Sequence, residues 1–136
     1  DLAGIAFNNA GCGAVHALSY PLGGTYHIPH GEANMLMFEA VFKKYREKDP
    51  SGKINDLYLI LSDVLGCDES SALDEMFKIL DLILKRNPLN TYGVKKEELA
   101  AFAKSVVQNQ GRLLANNYTS LSEDEMLEIY ESVFDK

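Results

Sequence analysis

Apolar residues recur at spacings of three and four along most of this chain, and they almost never alternate. That pattern restricts the fold more than any other feature. A period near 3.6 turns one face of a helix toward a core, whereas a half-buried strand needs a period of two. Met35, Phe38, Phe42 and Tyr45 form one such stripe, predicting a helix over about residues 31–47. Leu57, Ile60, Leu61 and Val64 predict the next over about 53–65, stopped by Gly66. Leu73, Met76, Phe77, Leu80 and Leu84 predict another over about 71–86, closed by Asn87-Pro88. Leu99, Phe102 and Val106 give one over about 95–109, with room to continue past Gly111 through Leu113 and Leu114. A last helix opens on a capping box, Ser122 with Glu125 three residues on, and carries Met126, Ile129, Tyr130 and Val133 inward.

Before these lies a segment rich in small residues, from about residue 3 to residue 20, which reads as a first helix ended by Pro21 and Gly23-Gly24. Each Gly costs an isolated helix up to about 1 kcal/mol relative to Ala, but so many small residues let another backbone or a ligand come close. The expectation is an all-α bundle of about six helices with short connections, one domain over residues 1–136. The opening residues Asp1-Leu2-Ala3-Gly4-Ile5-Ala6-Phe7 read as the inside of an apolar helix, as in a piece of a longer polypeptide.

Charge excludes some functions. The chain has 20 Asp and Glu against 13 Lys and Arg, a formal charge of −7. A nucleic-acid surface needs clustered cations, so no nucleic-acid partner is expected. Apolar runs fall far short of the roughly 18 residues of a membrane span, so no membrane is expected either. Cys12 and Cys67 lie far apart and outside any CxxC pair, which fits reduced thiols in a cytoplasmic protein. Cys12 shares a helix face with His16 and reads most simply as a small buried filler. Lys43-Lys44 and Lys95-Lys96-Glu97-Glu98 read as solvated helix faces.

All three histidines, His16, His27 and His30, fall within 15 residues. His16 sits in the small-residue helix, and His30, between Pro29 and Gly31, opens the next. A helix, a turn and a return can bring two imidazoles together, and neutral imidazole nitrogens suit a divalent transition metal. The simpler reading, in which each is a hydrogen-bonded surface or core histidine, stays open on these grounds alone. His27 in particular reads equally as a solvated loop residue.

The run Ala14-Val15-His16-Ala17-Leu18-Ser19-Tyr20-Pro21-Leu22-Gly23-Gly24, followed by Ile28-Pro29-His30-Gly31-Glu32-Ala33-Asn34, resembles the signature of iron-containing (group III) alcohol dehydrogenases. The order of helices after it is similar to that family's C-terminal helical domain, so the resemblance covers essentially the whole chain. It implies a two-domain enzyme, with an N-terminal α/β dinucleotide-binding domain absent from this chain and an active site in the cleft between the domains. It further implies one divalent metal, Fe²⁺ or alternatively Zn²⁺, held by an Asp and a His from upstream and by His16 and His30 here. NAD is the implied redox cofactor. Many members carry a second histidine four residues after the first, beside the nicotinamide; here that position is Tyr20. A phenol there can still line the cofactor and donate a hydrogen bond or relay a proton, though less readily than imidazole at neutral pH. His27 can share the proton or carboxylate-binding role, and Asn34 can orient the site loop through side-chain hydrogen bonds.

The wording around Tyr20 and His27 is similar to family members acting on 4-hydroxybutyrate and succinic semialdehyde. The implied partners are therefore the missing nucleotide-binding domain, a small alcohol or aldehyde, and further copies in a homo-oligomer. The isolated piece, with two ligands of four, is expected to be inactive. A zinc-dependent relative such as a glycerol dehydrogenase or dehydroquinate synthase, and a helical binding module without chemistry, are the alternatives.

Overall fold

The computed structural model describes residues 12–50, 52–111 and 120–135. The described residues hold six α-helices and no strand: α1 Cys12–Tyr26, α2 His30–Lys48, α3 Lys53–Leu65, α4 Ala72–Ile83, α5 Leu99–Asn109 and α6 Glu123–Ser132. Short 3-10 turns at Glu69–Ser71, Leu89–Tyr92 and Lys96–Glu98 make the connections. None of these helices is long and apolar enough to cross a membrane. The expected residues 3–11 of the first helix, the extension through Leu113 and Leu114, and the Cys12 side chain lie outside the described residues.

Two clusters of rings organise the core. Phe102 on α5 meets Tyr26 of α1 edge-on at 6.2 Å and Tyr130 of α6 at 5.9 Å. The fully buried Tyr130 hydroxyl donates to the Leu18 carbonyl at 2.6 Å, tying α6 to α1. On the other side, Phe38 stacks on Phe42 at 4.4 Å within α2 and reaches Phe77 of α4 at 5.4 Å. Arg86 closes that side: its guanidinium lies 4.4 Å over the Phe77 ring and bonds to Asp81 and Glu39. The α6 capping box forms as expected, with Ser122 Oγ accepting from the Glu125 N–H and Glu125 accepting from the Ser122 N–H.

Three expectations need correction. Pro21 and Gly23-Gly24 do not end α1, which runs through them to Tyr26. A proline inside a helix costs about 3 kcal/mol. Here Leu18 and Leu22, both fully buried, flank Pro21 on the inner face, and each such burial is worth about 1.5–3 kcal/mol. Packing therefore outweighs the break. The α3 stripe is also rotated: Ile54 and Tyr58 are buried, while Ile60 and Val64 are 61% and 74% exposed. Among the described residues α3 packs mainly on α4, the Glu69–Ser71 turn and α2, so it buries a narrow strip. In α4, Leu73 and Phe77 are buried but Leu84 is 37% exposed, because the helix stops at Ile83 and Leu84 is already extended.

Candidate metal and substrate site

The site forms where α1 turns into α2. The turn is only three residues, His27-Ile28-Pro29, so α2 returns directly against α1. Its reversal comes at His27, whose φ of 54° places it in the left-handed region. The His27 N–H still donates to Gly23 O at 3.1 Å, and the Ile28 N–H reaches Leu22 O at 3.4 Å. Glycine usually takes such a position, since a Cβ costs about 1–2 kcal/mol there. The sequence reading assigned the turn to Gly23 and Gly24, yet both lie inside the helix. A Cβ on Gly24 would meet nothing within 4 Å, and one on Gly23 would make only ordinary contact at 3.7 Å.

Two hydrogen bonds between tyrosine and glutamate pin this turn from both sides. The Tyr26 hydroxyl, at the end of α1, donates to the Glu98 carboxylate just before α5. The Tyr92 hydroxyl donates to Glu32, in the first turn of α2, at 2.7 Å. The hydrogen bond to Glu98, with burial added, raises the Tyr26 pKa, and the same bond together with the Lys95 N–H lowers that of Glu98. Tyr92 is raised by burial first and then by Glu32. These partners are 60 and 72 residues apart, so nothing local in the sequence announces them. Glu98 is thus no plain solvated charge. Lys43 and Lys44 are likewise engaged, in ion pairs with Asp74 at 2.7 Å and Glu128 at 2.5 Å.

His16 and His30 do come together. Their ring centroids are 5.6 Å apart and their planes lie within 7° of parallel. His16 is half-buried on α1, and His30 is exposed as the first residue of α2. The distance alone is within reach of a shared ion, although the stacked, near-parallel rings must rotate before both can point a lone pair at it. With metal–nitrogen bonds of about 2.1 Å, two ligating imidazole centroids fall roughly 5–6 Å apart, depending on the angle at the metal. Asn34, one turn into α2, places its amide Nδ2 2.9 Å from His30 Nε2. Each ring has two nitrogens, so this contact leaves His30 a further nitrogen for a ligand. Among the described residues no group of three or more His, Cys, Asp or Glu converges. The two histidines are what this part of the molecule offers a metal.

Tyr20 lies one turn after His16 on α1 and is 54% exposed. His27 is exposed in the turn itself. Neither side chain is folded into the core: Tyr20 stands on α1 between His16 and the turn, and His27 in the turn that leads to His30. Cys67 is a free, half-buried thiol at the end of α3, outside this group. A surface groove between α2, α3 and α4, lined by Lys43, Arg46, Tyr58 and Asp74 among others, holds no histidine and is separate from the site.

Residues 1–134 match the model of the Fe-containing alcohol dehydrogenase family, C-terminal. Over 98% of its length the chain is 54% identical to a 4-hydroxybutyrate dehydrogenase of Clostridium kluyveri, of which it covers 36%. It is 36% identical to long-chain-alcohol dehydrogenase 1 of Geobacillus thermodenitrificans, covering 98% of the chain and 34% of that protein. Among solved structures it resembles an archaeal halo-thermophilic alcohol dehydrogenase from a Red Sea brine pool, with a TM-score of 0.73 at 20% identity over 88% of this chain and 32% of that one. A 1,3-propanediol oxidoreductase gives 0.67 at 23% identity over 89% and 32%. At these identities the structural likeness speaks for the fold. The chain spans about a third of the length of the curated relatives it matches.

Proposed function

Since this chain belongs to the Fe-containing alcohol dehydrogenase family, we propose that the intact protein is a metal- and NAD(H)-dependent dehydrogenase interconverting 4-hydroxybutyrate and succinic semialdehyde. The observation that carries this reading is the pairing of His16 and His30 across the α1–α2 turn, 5.6 Å between centroids. The substrate part rests on the 54% identity to the clostridial 4-hydroxybutyrate dehydrogenase.

When bound, the metal polarises the substrate oxygen as a Lewis acid and NAD(H) carries the hydride. Fe²⁺ is the first choice, and Zn²⁺ accepts the same donors. His16 and His30 each offer a ring nitrogen from this side of the cleft. The remaining ligands and the nucleotide site belong to the part of the polypeptide outside this chain. Tyr20 lines the nicotinamide side and passes the hydroxyl proton toward solvent. His27, presented outward by its left-handed backbone, takes part in that transfer or meets the substrate carboxylate. A histidine with φ 54°, where glycine would be less strained, supports a task for its side chain.

The full-length protein carrying this chain tests the reading. It should reduce NAD⁺ with 4-hydroxybutyrate, lose that rate on chelation and regain it with Fe²⁺ or Zn²⁺. His16→Ala and His30→Ala should each lose bound metal by elemental analysis. Full metal stoichiometry in both variants would refute the ligand assignment. A kcat/KM for 4-hydroxybutyrate no higher than for an uncharged butanol would refute the substrate.

A further inference from the structure

Asn34 makes little sense as a helix or core residue. It sits inside α2, where Asn is a weaker helix former than Ala. Its Oδ1 is buried and has no hydrogen-bond partner among the described residues, an arrangement that costs free energy rather than adding any. The contact it does make is with His30, Nδ2 to Nε2 at 2.9 Å, from one turn further along the same helix. His30 itself is exposed, at the first residue of α2, where no surrounding core locks its ring. Its ring is bounded by His16 on one side and by the Asn34 amide at one nitrogen.

We propose that Asn34 is a positioning residue for His30: its amide holds one imidazole nitrogen and limits the ring's rotation beside His16, leaving the other nitrogen for a divalent metal. The proposal rests on the reading of His16 and His30 as metal ligands. A histidine that ligates a metal through one nitrogen ordinarily has the other held by a hydrogen-bonding group, and loss of that group weakens metal binding by about 10–100-fold. Asn34 acts through His30 and is assigned no contact with substrate. The amide can present either end to the ring, Nδ2–H to a lone pair or Oδ1 to an N–H. The second orientation pairs the oxygen with the ring and puts the amide nitrogen in the buried position instead.

The experiment uses the full-length protein, stripped of metal and titrated with Co²⁺ and Zn²⁺ against a chelator. Asn34→Ala removes the amide, and Asn34→Leu keeps its volume without the hydrogen bond. Both should weaken metal binding by about 10-fold or more and shift the visible absorption of the Co²⁺ form. Thermal melts of the metal-free proteins should remain close to wild type. Unchanged affinity and Co²⁺ spectrum in either variant overturns the proposal. So does tighter binding, which would mean that the amide competes with the metal for Nε2. A His30→Ala arm keeps the two ideas apart. If His30→Ala binds metal as well as wild type, the ligand reading fails; if it loses metal while the Asn34 variants do not, only the positioning role fails.

Discussion

Tyr20 and His27 are both solvent-facing, one on α1 and the other in the turn between α1 and α2. Each is open to a substitution that separates chemistry from folding. Tyr20→Phe removes only a hydroxyl from a side chain 54% exposed, so metal content and melting temperature should stay at wild-type values. Turnover should fall by about 10²–10⁴-fold if the phenol takes part in proton transfer. An unchanged rate across pH would remove Tyr20 from the proton path. His27→Gly should act oppositely on the two readouts. Relieving the left-handed backbone at φ 54° should stabilise the turn by about 1 kcal/mol, seen as a higher denaturant midpoint, while turnover drops. A variant that is more stable and fully active would make His27 a plain turn residue.

At the scale of elements, the turn carrying these residues is held from outside by Tyr26 to Glu98 and Tyr92 to Glu32. Tyr92→Phe should cost about 1 kcal/mol, Tyr26→Phe should destabilise in the same direction, and the loss should be local. Amide exchange should quicken over residues 27–33 while α6 keeps its protection. Uniform acceleration throughout would mean that the two bonds support the whole bundle rather than the turn. These pins also mark where sequence reading ends. The spacing of Leu99, Phe102 and Val106, and the Ser122–Glu125 box, were legible because each depends on residues within one helix. The pairing of His16 with His30 was legible because a short return joins them. Pro21 misled because a local breaker was outweighed by the burial of Leu18 and Leu22, which depends on α2, α5 and α6 being present. The α3 stripe misled for the converse reason. Its apolar residues are there, but among the described residues α2, α4 and the Glu69–Ser71 turn cover one side of the helix, and Ile60 and Val64 remain exposed.

For the whole molecule, the titrating groups set a pH range in which the bundle is stable. Asp81 is held below the ordinary carboxylate range by Arg86, Glu98 by Tyr26 and the Lys95 N–H, and Glu125 by Lys48 and the Ser122 N–H. A carboxylate with a depressed folded-state pKa binds fewer protons folded than unfolded near pH 4. Its contribution is therefore complete above the ordinary value and is lost as pH falls through the folded one. Asp81 is exposed and Glu98 and Glu125 are only half-buried, so solvent screening keeps each contribution small, and the acid limb should decline gently below about pH 5. The alkaline limb should be steeper. Burial pushes the Tyr130 hydroxyl far above the ordinary tyrosine value, and that hydroxyl donates to Leu18 O at 2.6 Å. A raised pKa reverses the sign: the stabilisation is complete below about pH 10, where the unfolded phenol begins to ionise. Above that it is lost at about 1.4 kcal/mol per pH unit for this one group. Tyr130→Phe should lower stability at neutral pH by about 1 kcal/mol and flatten the alkaline limb. Unfolding at pH 11, followed by tyrosinate absorbance, should release one fewer phenolate from the variant than from wild type. An alkaline limb of equal slope in both proteins would show that Tyr130 ionises in the folded state, and that its hydroxyl is less enclosed than its place between α1, α5 and α6 requires.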